Sequence, residues 1–152
     1  MDIRKLALHE EPPMELLLSA DPSQRIVEAY LSRGECYVAE LDNQVIGVYI
    51  LVEIKPDTIE LINIAIGEIY AGKGLGKQLV MNAIKRATTK GYKVIEVGTG
   101  NSSIGQLAFY QKCGFRIEGV KKDFFLQNYS EAIFENGIQC RDMIRLSQQL
   151  QE

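Results

Sequence analysis

The chain of 152 residues has no tryptophan, one histidine and three cysteines. With His9 as the only imidazole, a Ser-His-Asp triad or a multi-histidine metal site has almost nothing to build on, and we expect no metal. Cys36, Cys113 and Cys140 are widely spaced and form no CxxC pair, so neither a disulfide framework nor a zinc site is predicted. We expect reduced thiols and a cytoplasmic location.

Long apolar runs and basic tracts are also missing. No stretch approaches the roughly 18 apolar residues that a membrane span needs, and the N-terminal segment does not resemble a signal peptide. The net charge is −3, so we expect neither a membrane nor a nucleic-acid partner. A composition of 46% hydrophobic and 24% charged residues suits one domain, which we place over residues 1–152.

The first half of the chain predicts a strand, two helices and a three-stranded meander. Residues 1–8 begin as a strand, and Pro12 and Pro13 end it. Residues 14–19 predict a short helix, and Asp21 is the expected N-cap of a second helix that ends at Gly34. The runs ECYVAEL, QVIGVYILVEI and TIELINIAI then alternate with turn residues, which indicates antiparallel strands.

The second half predicts a crossover of helix, strand and helix, followed by two strands. Apolar residues recur at helical spacing from Leu75 to Ala87, YKVIEVGTG is a strand, and residues 103–113 form a shorter helix. FRIEGV and CRDMIRLS are late strands. The segment 121–137 has no clean period and is predicted as a loop with one helical turn. The order βααβββαβαββ belongs to the mixed α/β class.

The stretch YAGKGLGKQL, residues 70–79, places three glycines between a strand and a helix. Main-chain amides without a Cβ beside them let an anion approach closely, and the helix N-terminus adds roughly half a positive charge. The segment therefore predicts a phosphate cradle, with Lys73 and Lys77 at its edges. The alternative is a flexible loop without a ligand.

Two nucleotide-binding motifs nearly fit this stretch. The spacing from Gly67 to Lys73 matches the start of a P-loop, but Gly74 stands where Ser or Thr would hold magnesium. The dinucleotide fingerprint fails because Gly76 comes one residue early. Both motifs also need a parallel sheet, whereas this strand belongs to a meander. A third option is the pyrophosphate of coenzyme A.

The segment Ala71–Gly76 resembles the acetyl-CoA loop of the GNAT acetyltransferase superfamily, Q/R-x-x-G-x-G/A. Gly74 and Gly76 match its two small positions, while Ala71 stands where the family has Gln or Arg. The later segment GTGNSSIGQLAFYQKCGF is similar to the family's second motif, through Asn101 and the pattern F-Y-x-K-x-G-F that begins at Phe109. The resemblance covers roughly residues 35–120.

The resemblance implies a GNAT-like fold. This is a mostly antiparallel sheet of about seven strands, splayed between the fourth and fifth, with about four flanking helices. Acetyl-CoA would be the co-substrate, inserted at the splay like an additional strand. The implied cofactor-binding residues are Ile64, Ala65, Ile66, Ala71, Gly72, Lys73, Gly74, Leu75, Gly76, Lys77, Asn101 and Tyr110. In the family, the strand that corresponds to TIELINIAI carries a bulge, although this sequence alone does not show one.

Tyr110 and Glu60 are the catalytic candidates. Tyr110 matches the tyrosine that often serves as general acid toward the leaving thiolate, although packing in the core is its structural alternative. Glu60 would act as base, since a lone carboxylate that shares a strand face with Ile62, Ile64 and Ile66 would have a raised pKa. A water chain is the alternative base, and Glu96 is a second carboxylate near the cleft. Asn101 would contact the cofactor or cap the following helix.

The resemblance implies N-acetylation of a primary amine on a small molecule or peptide, by direct transfer in a ternary complex. The alternative is a non-catalytic acetyl-CoA sensor or interaction module of the same fold. The acceptor should contact residues 14–34 and 121–137, which match the family least. A homodimer or a higher homo-oligomer is also expected, because the family often dimerises.

Overall fold

A seven-stranded mixed sheet forms the centre of the structure, a computed structural model that describes residues 1–151. Glu152, the end of the predicted domain 1–152, lies outside the described residues. The strands of this sheet are β1 (Asp2–Lys5), β2 (Glu35–Leu41), β3 (Gln44–Lys55), β4 (Thr58–Ile66), β5 (Val94–Gly100), β6 (Arg116–Lys121) and β9 (Met143–Gln149). Two further strands, β7 (Phe134–Glu135) and β8 (Ile138–Gln139), form a separate two-stranded sheet. The sheet order is β1-β2-β3-β4-β5-β9-β6, and β4–β5 is its one parallel pair. The predicted sheet of about seven strands is confirmed.

Helices cover both faces of the sheet. They are α1 (Met14–Ala20), α2 (Gln24–Arg33), α3 (Leu75–Thr89), α4 (Ile104–Lys112) and α5 (Phe124–Asn128), with a 3-10 turn at Glu68–Tyr70. Leu17 of α1 and Val27 of α2 are fully buried against one face, and Leu79 and Val80 of α3 against the other. The apolar sides of α1 and α2 thus form one core layer with the sheet, and the apolar side of α3 forms the other. α5 is the single helical turn expected in residues 121–137.

Two hairpin turns use left-handed backbone at consecutive residues. Asp42 and Asn43 have φ of 52° and 64°, which confirms the predicted turn between β2 and β3. Asn136 and Gly137, with φ of 54° and 73°, connect β7 to β8. The prediction of a loop for that second segment was wrong, because an Asn-Gly turn pairs even two-residue strands.

β4 contains a bulge, and beyond it the sheet opens. Ile50 of β3 pairs with Asn63 and Leu51 pairs with Leu61, so Ile62 is the additional residue of β4. β4 pairs with β5 only as far as Glu60 and Glu96, although the two strands continue to Ile66 and Gly100. The predicted splay between the fourth and fifth strands is confirmed.

The bulge also changes which residues share a face. Leu61 and Ile64 pack on the α3 side of the sheet, whereas Ile62 and Ala65 pack on the α1–α2 side. A regular strand would place Glu60 on one face with Ile62, Ile64 and Ile66. The additional residue reverses the alternation after Ile62, so Glu60 shares its face with Ile62 and not with Ile64 and Ile66.

Candidate active site

The gap between β4 and β5 opens into a cavity of about 760 Å³. This volume lies within the range of small-molecule sites, about 300–1,000 Å³. β4 lines it through residues 62–66, β5 through residues 98–100, and α4 through Gln106 and Tyr110. The corner between α1 and α2 and the segment 125–143 complete its walls. Both chain regions that were expected to contact the acceptor therefore reach this cavity.

The open edge of β4 presents main-chain groups to the gap. The amide of Gly67 donates to the carbonyl of Ile46 on β3 at 2.8 Å. Because main-chain groups along a strand alternate between its two neighbours, Ala65 also faces β3, while Ile64 and Ile66 face the gap. Residues 64–66 were predicted to bind the cofactor. Ala65 lines the cavity, but its main-chain groups point toward β3 and not toward the gap.

The glycine loop provides amides that no protein group uses. Gln78 is the first residue of α3 whose amide reaches a main-chain acceptor, Gly74 O at 3.2 Å. Among the described residues, no acceptor takes the amides of residues 72–77. Gly72 and Gly74 have φ of 76° and 79°, a conformation that glycine adopts without strain. No acidic residue lies in the first turn of α3. These features fit a pyrophosphate at the helix N-terminus.

The side chains around the loop are exposed. Ala71, Lys73 and Lys77 are all at the surface, and the Nζ of Lys73 lies 5.8 Å from the ring centroid of Tyr70. The predicted placement of two lysines at the edges of the cradle is therefore compatible with the structure.

Tyr110 lines the cavity and is 4% exposed. Its ring lies between Phe109, at a centroid distance of 5.7 Å, and Phe115, at 5.8 Å. Burial raises the pKa of Tyr110 to about 12, so its hydroxyl is protonated at neutral pH. The structure therefore shows Tyr110 both packed against aromatic rings and lining the cavity, and its role as general acid stays a prediction.

Glu60 is not the lone carboxylate that the sequence suggested. It accepts a hydrogen bond from Arg145 Nη1 at 2.9 Å, and Glu96 accepts one from Arg145 Nη2 at 2.8 Å. Burial lowers the pKa of Arg145, but the charges and hydrogen bonds of the two carboxylates outweigh it, so that pKa is raised. The three side chains connect β4, β5 and β9 at the point where the sheet begins to open.

Asn101 organises the chain instead of capping α4. Its Oδ1 accepts from the amides of Arg141 and Asp142 at 2.8 and 2.9 Å, and its Nδ2 donates to the carbonyl of Gln139 at 3.1 Å. The predicted capping role was wrong, because these groups are committed to the segment that leads into β9. A contact between Asn101 and the cofactor stays a prediction.

Sequence reasoning missed part of the cavity wall. Ser23, not Asp21, caps α2, since Ser23 Oγ accepts from the amide of Ile26. Asp21 instead accepts from the hydroxyls of Tyr30 and Tyr129 at 3.1 and 2.9 Å. Tyr129 lies 108 residues away in the chain, so no local pattern indicates this pair.

The structure also gives the state of the cysteines and the character of the helices. Cys36, Cys113 and Cys140 are free and buried, and burial raises the pKa of the Cys113 thiol, which makes it a poor nucleophile. Within residues 1–151, no helix combines the length and the apolar character that crossing a membrane requires.

Known proteins are similar to this chain in sequence and in fold. The family model described as "Acetyltransferase (GNAT) family" matches residues 3–115 of this chain. The uncharacterized N-acetyltransferase YvbK of Bacillus subtilis is 58% identical over 87% of this chain and 85% of its own length.

Two solved structures are also similar over nearly the whole chain. A GNAT acetyltransferase from Elizabethkingia anophelis with acetyl-CoA bound has a TM-score of 0.97 and 46% identity, over 98% of this chain and 97% of its own. The IAA acetyltransferase from Bacillus cereus has a TM-score of 0.94 and 50% identity, over 98% and 99%. The chain belongs to the GNAT acetyltransferase family, and the predicted fold, the acetyl transfer and acetyl-CoA as co-substrate are confirmed at the level of that family.

Proposed function

We propose that this chain, residues 1–152 as one domain, moves the acetyl group of acetyl-CoA to a primary amine of a small molecule or peptide. Transfer is direct, within a ternary complex. The observation that carries the proposal is the position of Tyr110 on the wall of the cavity between the diverging strands β4 and β5. The free amides of residues 72–77 lie beyond the end of the same β4.

Each part of the site then holds one part of the co-substrate. The amides of the glycine loop receive the pyrophosphate, with Lys73 and Lys77 adding positive charge. Main-chain groups of Ile64 and Ile66 pair with the pantetheine arm, and a donor on this edge also polarises the thioester carbonyl. Holding both reactants in one cavity removes most of the entropic barrier to their reaction.

The chemistry requires a neutral amine and a leaving thiolate. Acetyl-CoA supplies an activated acyl group, whose C–S bond breaks after the amine nitrogen has bonded to the carbonyl carbon. The sulfur leaves with the bonding electron pair and receives the proton of the Tyr110 hydroxyl. The proton lost by the amine nitrogen restores that hydroxyl through water.

Glu60 is the proposed base that removes a proton from the incoming ammonium ion, directly or through water. It lies at the closed end of the gap, and only its Oε2 is engaged by Arg145 among the described residues. Glu96 makes the same kind of contact through the other guanidinium nitrogen. The two carboxylates therefore form a natural pair for comparison.

The test is the rate of coenzyme A release in Tyr110→Phe. We expect kcat/KM to fall by about 10²-fold while acetyl-CoA binds with unchanged affinity, because only the proton donor is removed. Tyr92→Phe is the matched control, since the Tyr92 hydroxyl contacts Glu53 outside the cavity. Unchanged kcat/KM in Tyr110→Phe would refute the acid role. Absence of turnover in the wild type with any amine, alongside acetyl-CoA binding, would support the non-catalytic module instead.

Location and assembly are further proposals. Three free, buried cysteines support a cytoplasmic protein. The edge strand β6 exposes Ile117 and Val120, which are 51% and 52% accessible, and this apolar edge supports a homodimer or a higher homo-oligomer. Sedimentation equilibrium tests the assembly, and a monomer at all concentrations would contradict it.

A further inference from the structure

The charged side chains that line the cavity are acidic. Among the described residues that line the cavity, Asp21 and Glu135 are carboxylates and none is Lys, Arg or His. Asp21 accepts hydrogen bonds from Tyr30, Tyr129 and the amide of Ser23, yet it forms no ion pair with a described residue. The wall therefore carries negative charge without a counter-ion.

Glu135 reaches the cavity from the β7–β8 hairpin. Its Oε1 accepts from the hydroxyls of Ser102 and Ser103 at 3.0 and 2.6 Å, which hold the carboxylate in place. Its Oε2 has no protein partner within residues 1–151. The Glu135 side chain is exposed, and this second oxygen is left for a donor from outside the protein.

Asn63 provides an independent sign of a missing donor. It lines the cavity and is 4% exposed. Its Nδ2 donates to Leu17 O at 3.1 Å and to Tyr30 Oη at 2.7 Å, which fixes the orientation of the amide. Its Oδ1 is buried and has no hydrogen-bond partner among the described residues. A buried acceptor of this kind is stabilised when a donor arrives.

Apolar side chains also line the cavity, next to polar ones such as Ser19, Thr99 and Gln106. Leu18, Ile62, Phe125 and Met143 line the cavity, and the ring of Phe125 lies 5.4 Å from that of Tyr129. Aromatic faces attract both apolar groups and cations. The wall therefore combines acceptors for a charged donor with a surface for an apolar body.

We propose that the acceptor is a cationic primary amine with an apolar or aromatic body and no carboxylate beside the amine. Its ammonium group is drawn to the wall formed by Asp21, Glu135 and Asn63 before it loses a proton and attacks the thioester. A carboxylate next to the amine would face two fixed carboxylates without a compensating cation, and this repulsion excludes α-amino acids. The inference rests on the proposed acetyl transfer.

The test compares 2-phenylethylamine with phenylalanine, which differ by one carboxylate. Initial rates of coenzyme A release with the full chain give kcat/KM for both compounds. We expect a preference of at least about 100-fold for 2-phenylethylamine. Glu135→Gln and Asp21→Asn should each raise the KM for this amine by about 10-fold or more, because a charge-assisted contact is weakened. Glu131→Gln removes the same charge from another exposed side chain of the same segment, one that does not line the cavity, and should leave KM unchanged.

Three outcomes would overturn the inference, given that the protein binds acetyl-CoA in a separate titration. These are equal use of phenylalanine, acetylation of neither compound, and a KM for 2-phenylethylamine that neither variant changes. Glu135→Gln keeps an oxygen for both serine hydroxyls, so it remains informative if Asp21→Asn destabilises the α1–α2 corner. Failure to bind acetyl-CoA at all would instead refute the proposed function, which keeps the two results distinct.

Discussion

Tyr110 derives its properties from burial. Contacts with the rings of Phe109 and Phe115 hold the Tyr110 ring, and the same desolvation that raises its pKa to about 12 keeps its proton in place at neutral pH. A protonated hydroxyl on the cavity wall can donate a hydrogen bond, and then a proton, to a leaving sulfur. At the scale of one residue, the burial that packs Tyr110 is therefore compatible with the proposed role as a proton donor.

This environment predicts the alkaline part of the pH profile. If Tyr110 is the general acid, as proposed, its protonated form is the active form. This form is fully present well below a pKa of about 12 and is lost only as the pH rises through that value. We expect kcat of the wild type to show no alkaline decrease between pH 7 and pH 10, measured by coenzyme A release at saturating substrates. A decrease centred near the ordinary tyrosine pKa of about 10 would contradict this assignment.

The carboxylates on either side of Arg145 predict different kinetic effects. Glu60→Gln and Glu96→Gln each keep an oxygen for the guanidinium, so both preserve the connection between β4, β5 and β9. If Glu60 accepts the proton, its variant should lose about 10²-fold in kcat/KM below pH 7, while Glu96→Gln stays close to the wild type. Equal losses in the two variants would show that the carboxylates only position Arg145.

At the scale of elements, the function depends on where β4 ends and α3 begins. The bulge at Ile62 and the last pair between Glu60 and Glu96 release the edge of β4, and the left-handed glycines then direct the amides of the loop outward. α3 returns to the sheet through Leu79 and Val80, which fixes the loop to the core. One strand–loop–helix unit therefore carries both parts of the proposed cofactor site.

Two glycines of the loop predict opposite effects on stability. Gly74 has a φ of 79°, so Gly74→Ala should cost about 1–2 kcal/mol and weaken acetyl-CoA binding by at least about 10-fold, because the amides change direction. Gly76 is helical, and an added Cβ would lie 3.6 Å from Phe109, an ordinary contact. Gly76→Ala should raise stability by about 0.5–1 kcal/mol and bind acetyl-CoA within a few-fold of the wild type.

Thermal denaturation and calorimetric titration of both variants test this pair. Equal affinities of Gly74→Ala and Gly76→Ala for acetyl-CoA would show that cofactor binding does not depend on the left-handed conformation of Gly74. A loss of stability in Gly76→Ala would contradict the helical assignment of that residue.

For the whole molecule, the sequence predicted what local patterns and family motifs encode. All strands of the main sheet, the large helices, the glycine loop and Tyr110 follow from periodicity or from short motifs. The insertion of β9 between β5 and β6 did not, because strand order depends on contacts between distant segments. The partnership of Glu60 with Arg145 spans 85 residues and was missed for the same reason. The Asn136-Gly137 hairpin was visible in the sequence as a turn signal.

Long-range ion pairs also predict how the stability of the whole chain depends on pH. Glu35 of β2 pairs with Lys5 at 2.8 Å and with Lys90 at 2.5 Å, and these hydrogen bonds lower its pKa to about 2. Because the unfolded chain binds this proton near pH 4.5, the stabilisation is complete above that pH and is lost as the pH falls toward 2. Urea unfolding at a series of pH values should show this decrease.

Glu35→Gln isolates the contribution of this group. Glu10, whose hydrogen bond from Arg4 lowers its pKa to about 2, titrates in the same window, so the informative quantity is the difference between variant and wild type. The variant should be less stable at pH 7 and should lose less stability on acidification. Parallel pH curves for the two proteins would contradict the assigned role of Glu35.

The most direct test of the account is a calorimetric titration of the folded protein with acetyl-CoA and, separately, with magnesium-ATP. We predict binding of acetyl-CoA in the micromolar range and no binding of magnesium-ATP, because the amides of residues 72–77 fit a pyrophosphate while Gly74 offers no hydroxyl to a metal ion. Absence of acetyl-CoA binding, or binding of magnesium-ATP in its place, would contradict the assignment of this loop as the cofactor cradle.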